Sequence, residues 1–350
     1  MIMHIVKLRP IEREVLFVKM SKAIQNNVHI LINSPRSFHS CTTYTDIPWI
    51  DSITATIESL AEDLSACRYS SFGLVRWYLT RIDAINRQGL YSLHAVIETN
   101  PDALTIADAL DQEQHLHGSR SLLHEIPILI KDNIATNDRM ETTAGGLALV
   151  GSRIPRDAFV VQRLIQVDAI ILEGWSARGD ASSSAYVANG DPSGSSSGSA
   201  IATSAGLCAA AIETETAGSI VMPSSLADIV GLKPTVGLTS RSSVTPISYD
   251  HDTVRPMGKT VEDVALLLEV IQGIDSRDNA TQQTRIIRHQ NYTQFLLGVE
   301  GLRYLRLGVI RQVFHYNFRH HISYYLSELE NRTMKSLRDL IKFNIEHTDQ

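Results

Sequence analysis

Residues 126–133 read Ile-Pro-Ile-Leu-Ile-Lys-Asp-Asn. The apolar run 126–130 is continuous and three polar residues follow it at once. This pattern is typical of a strand that is buried on both faces and whose C-terminal end meets functional side chains. Because a lysine is exceptional at such a point, Lys131 is the first candidate for a chemical role.

Strand-like and helix-like segments alternate around this stretch. Apolar spacing of three and four residues predicts helices before it, and a capping pair, Thr260 and Asp263, predicts the start of a later one. The predicted helices cover residues 53–66, 72–87, 101–118, 158–167 and 260–271, and an alanine-rich core segment follows from residue 200; further strands are expected near 169–172 and 228–232. The alternation indicates an α/β fold, a mixed central β-sheet sandwiched by helices.

Length and composition favour one large domain. The chain has 350 residues without a glycine- or proline-rich linker, so we expect an N-terminal extension of unclear order over 1–48, a core over 49–278, and a C-terminal part of the same domain over 279–350. With 43% hydrophobic and 20% charged residues, the composition is that of a soluble globular protein.

Charge and apolar patterning exclude several classes of function. The net charge of -6 leaves no basic footprint for nucleic acid. No apolar run approaches the ~18 residues of a membrane span, and the charged N-terminal residues predict no signal peptide, so a cytoplasmic location is expected. Three scattered cysteines and unpatterned histidines predict neither a disulfide framework nor a metal site, and no cofactor is expected.

Two serines lie in glycine-flanked segments downstream of Lys131. Ser195 belongs to Gly-Ser-Ser-Ser-Gly at 194–198, and Ser219 belongs to Thr-Glu-Thr-Ala-Gly-Ser-Ile at 214–220. Burial would lower the pKa of a lysine at a strand end enough to make it a base. Lys131 could then take a proton from Ser219, by way of the Ser195 hydroxyl, while Ser219 attacks a carbonyl.

The turn that carries Ser219 could also bind a developing negative charge. Its consecutive backbone N–H groups, ahead of a helix, are candidates for an oxyanion hole; they belong to Thr216, Ala217, Gly218 and Ser219. Taken singly these features have plainer readings. The Ser/Gly run alone is typical of a linker or phosphate loop, Ser219 of a helix N-cap, and Lys131 of a surface lysine.

Together, these motifs resemble the amidase signature family, and fungal-type members most. The resemblance covers about 53–278 and matches Lys131 to the lysine of Pro-x-x-x-Lys-Asp-Asn, Ser195 to the first serine of Gly-Ser-Ser-Ser-Gly, and Ser219 to the nucleophile of Gly-Ser-Ile. It implies an amidase signature fold with a Ser-cisSer-Lys triad. It also implies a hydrolase that cleaves the C–N bond of a small-molecule amide through a serine acyl-enzyme.

The chain departs from the family pattern at several positions. A stretch expected after Leu172 is missing, Ala217-Gly218 stands where Gly-Gly or Asp-Gly is usual, and Arg255 replaces the glycine of Val-Gly-Pro; Val221 occupies the position where arginine or valine is usual. The chain also stops at Gln350, short of the usual C-terminus. Two alternatives therefore stay open beside the amidase: a protein like the A subunit of glutamine amidotransferases, and a truncated, catalytically inactive paralogue.

Overall fold

The sheet at the centre of the chain is mixed. A computed structural model of the protein describes residues 50–86, 92–175, 182–187, 190–283, 291–296, 322, 324–326, 328, 334 and 336–346. Within that part, six strands form one sheet in the order β1-β3-β2-β4-β6-β5. They are β1 (Glu98–Thr99), β2 (Pro127–Lys131), β3 (Ile170–Trp175), β4 (Ala210–Glu215), β5 (Val230–Gly231) and β6 (Thr253–Gly258).

Strand direction confirms the predicted mixed sheet. The central strand β2 runs parallel to both β3 and β4, whereas β1, β5 and β6 are joined by antiparallel pairs. All five residues of β2 are buried, as expected for a strand covered on both faces. The observed strand includes Lys131, so the lysine lies on the strand itself and its direction is fixed by the ladder.

Helices cover the sheet, as predicted. The α-helices of the described residues are α1 (Ile57–Ser65), α2 (Ser71–Ile85), α3 (Ala103–His117), α4 (Phe159–Ile165), α5 (Ser197–Ser204), α6 (Val221–Leu226), α7 (Val261–Ile271) and α8 (Leu337–Glu346). The expected Thr260 and Asp263 capping box begins α7, and Thr56 caps α1 in the same way. Asp263 also accepts the N–H of Ile57, which joins the starts of these two helices.

The alanine-rich segment from residue 200 is divided between two elements. Helix α5 ends at Ser204, the chain turns at Gly206 with φ of 69°, and β4 begins at Ala210. A Cβ at Gly206 would lie 2.6 Å from the carbonyl oxygen of Ser52, so only glycine fits the turn. Because the chain reverses at this turn, the Ser/Gly segment before α5 and the Ser219 segment after β4 lie at the same end of this helix-strand unit.

The main core packs around the sheet, and α1 and α2 add a helical layer to it. A smaller cluster joins Leu149 to Ile322, Tyr325 and Leu326. The described residues contain no helix long and apolar enough to cross a bilayer. The predicted extension 1–48 lies outside the described residues, and the domain bounds remain predictions.

Two cysteines lie among the described residues. Cys67 is disulfide-bonded, and Cys208 is a buried free thiol.

Candidate active site

Lys131 lies between two serine hydroxyls. Its Nζ is 2.8 Å from Ser195 Oγ and 2.8 Å from Ser196 Oγ. The lysine comes from the end of β2 and the serines from the segment that enters α5, so the central strand and this helix together form the contact. The structure therefore brings together two of the three predicted residues, Lys131 and Ser195, with Ser196 as a further neighbour.

Burial changes the acid strength of Lys131. Loss of solvent lowers the pKa of its ammonium from 10.5 to about 8, against the opposing effect of Glu213, whose Oε2 lies 3.8 Å from Nζ. Desolvation disfavours the charged form. A substantial neutral fraction near pH 8 gives Lys131 the property that a general base needs.

The segment before α5 has an unusual backbone. The Gly194–Ser195 peptide bond is cis, which agrees with the cis serine that the family resemblance implies. The first residues of α5 are buried under the sheet, including Ser197 and Ser199. Ser195 therefore lies just before the first turn of α5, next to the C-terminal end of β2.

Ser219 lies beside Ser196. Its carbonyl oxygen accepts the backbone N–H of Ser196 at 3.2 Å, so the turn after β4 and the start of α5 are in direct contact. Gly218 has φ of 80°, a conformation that favours glycine. The residues predicted as oxyanion donors thus occupy a tight turn between β4 and α6.

Glu215 accepts hydrogen bonds from the residues that follow that turn. Its Oε2 accepts the N–H of Ile220 at 2.9 Å and of Val221 at 3.3 Å. Burial alone would raise the pKa of Glu215, but Arg255 and backbone hydrogen bonds from Gly218 and Ile220 hold it below its usual value. The N–H of Gly218 is directed at this carboxylate. Of the four predicted oxyanion donors, those of Thr216, Ala217 and Ser219 are then left to bind an oxyanion.

The contacts of Arg255 explain how an arginine is accommodated where the family pattern has glycine. The guanidinium is fully buried, its Nη1 lies 3.1 Å from Glu215 Oε2, and its Nη2 donates to the Glu215 carbonyl oxygen at 3.0 Å. A buried charge of this kind is tolerated when it is paired. The substitution therefore places a cation under the Ser219 turn.

Two aspartates hold the loops around the site. Asp132 accepts the N–H of Thr143 at 2.6 Å and the hydroxyl of Thr143 at 2.7 Å. Asp252 accepts the N–H groups of Ile247 and Ser248 at 2.8 and 2.7 Å, and the hydroxyl of Thr216. The contacts of Asp252 are those of a residue that holds a loop in place.

Sequence reasoning missed Ser196 and Glu213. Ser196 is the middle serine of the Ser-Ser-Ser run and could not be told from its neighbours by pattern. Glu213 directly follows the apolar residues 210–212 of β4, and a charged residue next to that apolar run was the available signal. Among the described residues no three His, Cys, Asp or Glu side chains are grouped as metal ligands.

Comparison with known proteins identifies the family. The family model described as Amidase matches residues 73–350. The chain belongs to the amidase family. The chain is 44% identical, over 276 residues, to a probable amidase of Arabidopsis thaliana; the match covers 73% of this chain and 53% of that protein.

Two further relatives of this amidase-family chain bear on its function. The native peptide amidase of Stenotrophomonas maltophilia superposes with a TM-score of 0.76 at 34% identity, covering 85% of this chain and 73% of that one. The A subunit of the glutamyl-tRNA(Gln) amidotransferase of Chloroflexus aurantiacus is 35% identical over 272 residues, covering 74% of this chain and 54% of that protein. The chain spans about half the length of these curated relatives.

Proposed function

We propose that the protein is an amidase that hydrolyses the C–N bond of a small-molecule carboxamide through an acyl-enzyme on Ser219. The observation that carries the proposal is the contact of 2.8 Å between the buried amine of Lys131 and the hydroxyl of Ser195. A serine hydroxyl needs a nearby base to become a nucleophile, and this contact supplies one.

The proton path follows from the order of the three groups. Neutral Lys131 accepts the proton of the Ser195 hydroxyl while Ser195 accepts that of Ser219, whose oxygen attacks the amide carbon. The N–H groups of Thr216, Ala217 and Ser219 stabilise the oxyanion. Returning the proton along the same path protonates the leaving nitrogen, and ammonia or an amine departs. Water then attacks the ester with the same base and releases the acid.

The electrostatics of the site favour this path. A lysine with a pKa of about 8 is close enough to neutrality to accept a proton and to give it back. The second hydrogen bond, to Ser196 at 2.8 Å, keeps Nζ oriented while Ser195 exchanges its proton. The lysine therefore needs little reorganisation between the two steps.

A serine-directed fluorophosphonate tests the nucleophile without knowledge of the substrate. We expect the purified chain to gain one probe, mapped by mass spectrometry to Ser219, and expect S219A and K131A to lose the reaction. S71A is the control, because Ser71 is also a serine at the start of a helix, but that helix is α2, away from the site. Labelling that persists in folded S219A or in K131A would refute the assignment.

The substrate class is tested with a panel of amides. Peptide amides belong in the panel because a structural relative is a peptide amidase, together with small aliphatic and aryl carboxamides. Release of ammonia or amine that requires Ser219 would establish hydrolysis. If no amide is hydrolysed although Ser219 is still labelled, the assignment of Ser219 as the nucleophile stands and the proposed amide hydrolysis is refuted.

A second candidate is a subunit that releases ammonia from glutamine. The match of 35% to the A subunit of a glutamyl-tRNA(Gln) amidotransferase favours it. Such a role requires partner subunits, so affinity purification from the native source should return a stable complex with glutaminase activity. A chain that hydrolyses amides alone and co-purifies with no partner would exclude it.

A further inference from the structure

Three charged residues form a row across three neighbouring strands. Glu213 on β4 is in register with Arg255 on β6. On the other side of β4, the ladder with β2 pairs Ile130 with Ile212, so the next position sets Lys131 beside Glu213. Because side chains alternate along strands, the three residues share one face of the sheet. Their charges alternate as cation, anion and cation.

The row is removed from water. Glu213 and Arg255 are 0% exposed and Lys131 is 6% exposed. Charges interact far more strongly in such a setting than at a surface. Glu213 Oε2 lies 3.8 Å from Lys131 Nζ. Burial raises the pKa of Glu213, and Lys131, the hydroxyls of Ser199 and Ser196, and Arg255 act against that rise and favour the carboxylate. Glu213 is therefore the carboxyl group that pairs with the amine that the proposed reaction uses as a base.

Other charges near the row have partners of their own. Glu215 pairs with Arg255 at 3.1 Å, and Asp132 accepts hydrogen bonds from Thr143 and Gly145. Asp252, which also acts on Arg255, is held by Ile247 and Ser248. Within the row, Glu213 and Arg255 can shift the protonation equilibrium of Lys131 in opposite directions.

We propose that Glu213 and Arg255 are positioning residues that together set the charge of Lys131, with Glu213 favouring its ammonium form and Arg255 opposing it. The proposal rests on the proposed function, in which neutral Lys131 is the base. Glu213 lowers the free energy of the ammonium by direct attraction. Arg255, anchored by Glu215, repels the ammonium through the same low-dielectric layer. Glu213 raises and Arg255 lowers the pKa of Lys131, in agreement with this assignment.

Opposite shifts in the pH profile test the proposal. Losing the anion in E213Q should lower the pKa of Lys131, so the rise of fluorophosphonate labelling with pH should move to lower pH by about 1 unit. Losing the cation in R255Q should move the rise to higher pH, and R255K, which retains the charge, should restore the wild-type position. A merely structural role would change the extent of labelling and leave the midpoint in place.

E125Q is the matched control. Glu125 is also a fully buried glutamate, but it precedes β2 at the end opposite Lys131. Burial, together with the nearby charges of Asp111, Asp168 and Glu113, raises the pKa of its carboxyl to about 8. The same substitution there should leave the labelling midpoint unchanged.

A titration of the Lys131 side chain, followed by NMR and assigned by its loss in K131A, separates this proposal from the proposed function. If wild type is never labelled, the proposed function fails, but E213Q should still titrate below wild type. Shifts of E213Q and R255Q in the same direction, or no shift in a folded variant, would overturn the proposal. Should R255Q not fold, E213Q against E213D gives the same answer, since E213D retains the anion.

Discussion

Glu215 Oε2 lies 3.1 Å from Arg255 Nη1 and also accepts the N–H of Ile220 at 2.9 Å. One carboxylate thus joins the buried guanidinium of β6 to the turn that presents Ser219. The turn depends on this ion pair because Glu215 is the group that holds both the arginine and the start of α6. A substitution of either partner should therefore alter the position of Ser219, the proposed nucleophile.

We expect E215Q to lower the free energy of unfolding by about 3 kcal/mol, because it leaves the buried guanidinium of Arg255 without its anion. Urea denaturation measures the loss. D102N is the control, since it removes the exposed pair between Asp102 and Arg139, and it should cause no measurable change. Equal effects of the two substitutions would contradict the role given to Glu215.

The rate of labelling at Ser219 should rise with pH through about 8. Folding lowers the pKa of Lys131 from 10.5 to about 8, so the neutral base is scarce below that value and abundant above it. Initial labelling rates between pH 6 and about 10 would give the midpoint. A midpoint near the ordinary lysine value would show that the base is not a buried lysine.

Gly218 should not tolerate alanine. Its φ of 80° is strained for other residues, and a Cβ would lie 3.3 Å from Met222 Sδ. G218A should cost about 1 kcal/mol of stability and should slow labelling at least tenfold by displacing the donors around Ser219. Stability is measured by thermal unfolding and the rate by probe incorporation.

G118A provides the comparison for that prediction. Gly118 also has positive φ, 75°, but its Cβ would meet nothing within 4 Å, and it ends α3 away from the site. It should lose similar stability and label as wild type. If both variants label equally slowly, the effect of G218A would be one of stability alone.

Lys233 should support the site without taking part in proton transfer. Its Nζ donates to the carbonyl oxygens of His251 at 2.9 Å and Thr216 at 3.3 Å, and so joins two loops of the site. We expect K233M to slow labelling severalfold with an unchanged midpoint in pH.

K259M is the control for K233M. Lys259 donates to the carbonyl oxygens of Ser52 and Ala55 at 2.6 and 2.7 Å, so it fastens the segment before α1 and lies outside the proposed site. K259M should reduce stability, measured by urea denaturation, while its labelling rate stays that of wild type. A normal rate in folded K233M would remove the supporting role of Lys233.

Local patterns predicted much of the fold. The buried strand at β2 was recognisable because a strand covered on both faces has to be apolar throughout, and the capping box of α7 because Thr260 and Asp263 satisfy free N–H groups in a fixed spacing. The short or antiparallel strands β1, β4 and β6 were missed. These strands form by pairing with segments distant in sequence; Thr253–Gly258, for example, pairs with Ala210–Glu215.

The sequence by itself determined the family and the candidate residues Lys131, Ser195 and Ser219, because glycine-flanked serines and a lysine after an apolar strand are local patterns. Only the tertiary structure decided which side chains reach Lys131: Ser196 at 2.8 Å and Glu213 at 3.8 Å. It also decided why arginine is accepted at Arg255. The reason is physical: burial and pairing of charges depend on strand register and on helices packed from elsewhere in the chain, and no local pattern encodes them.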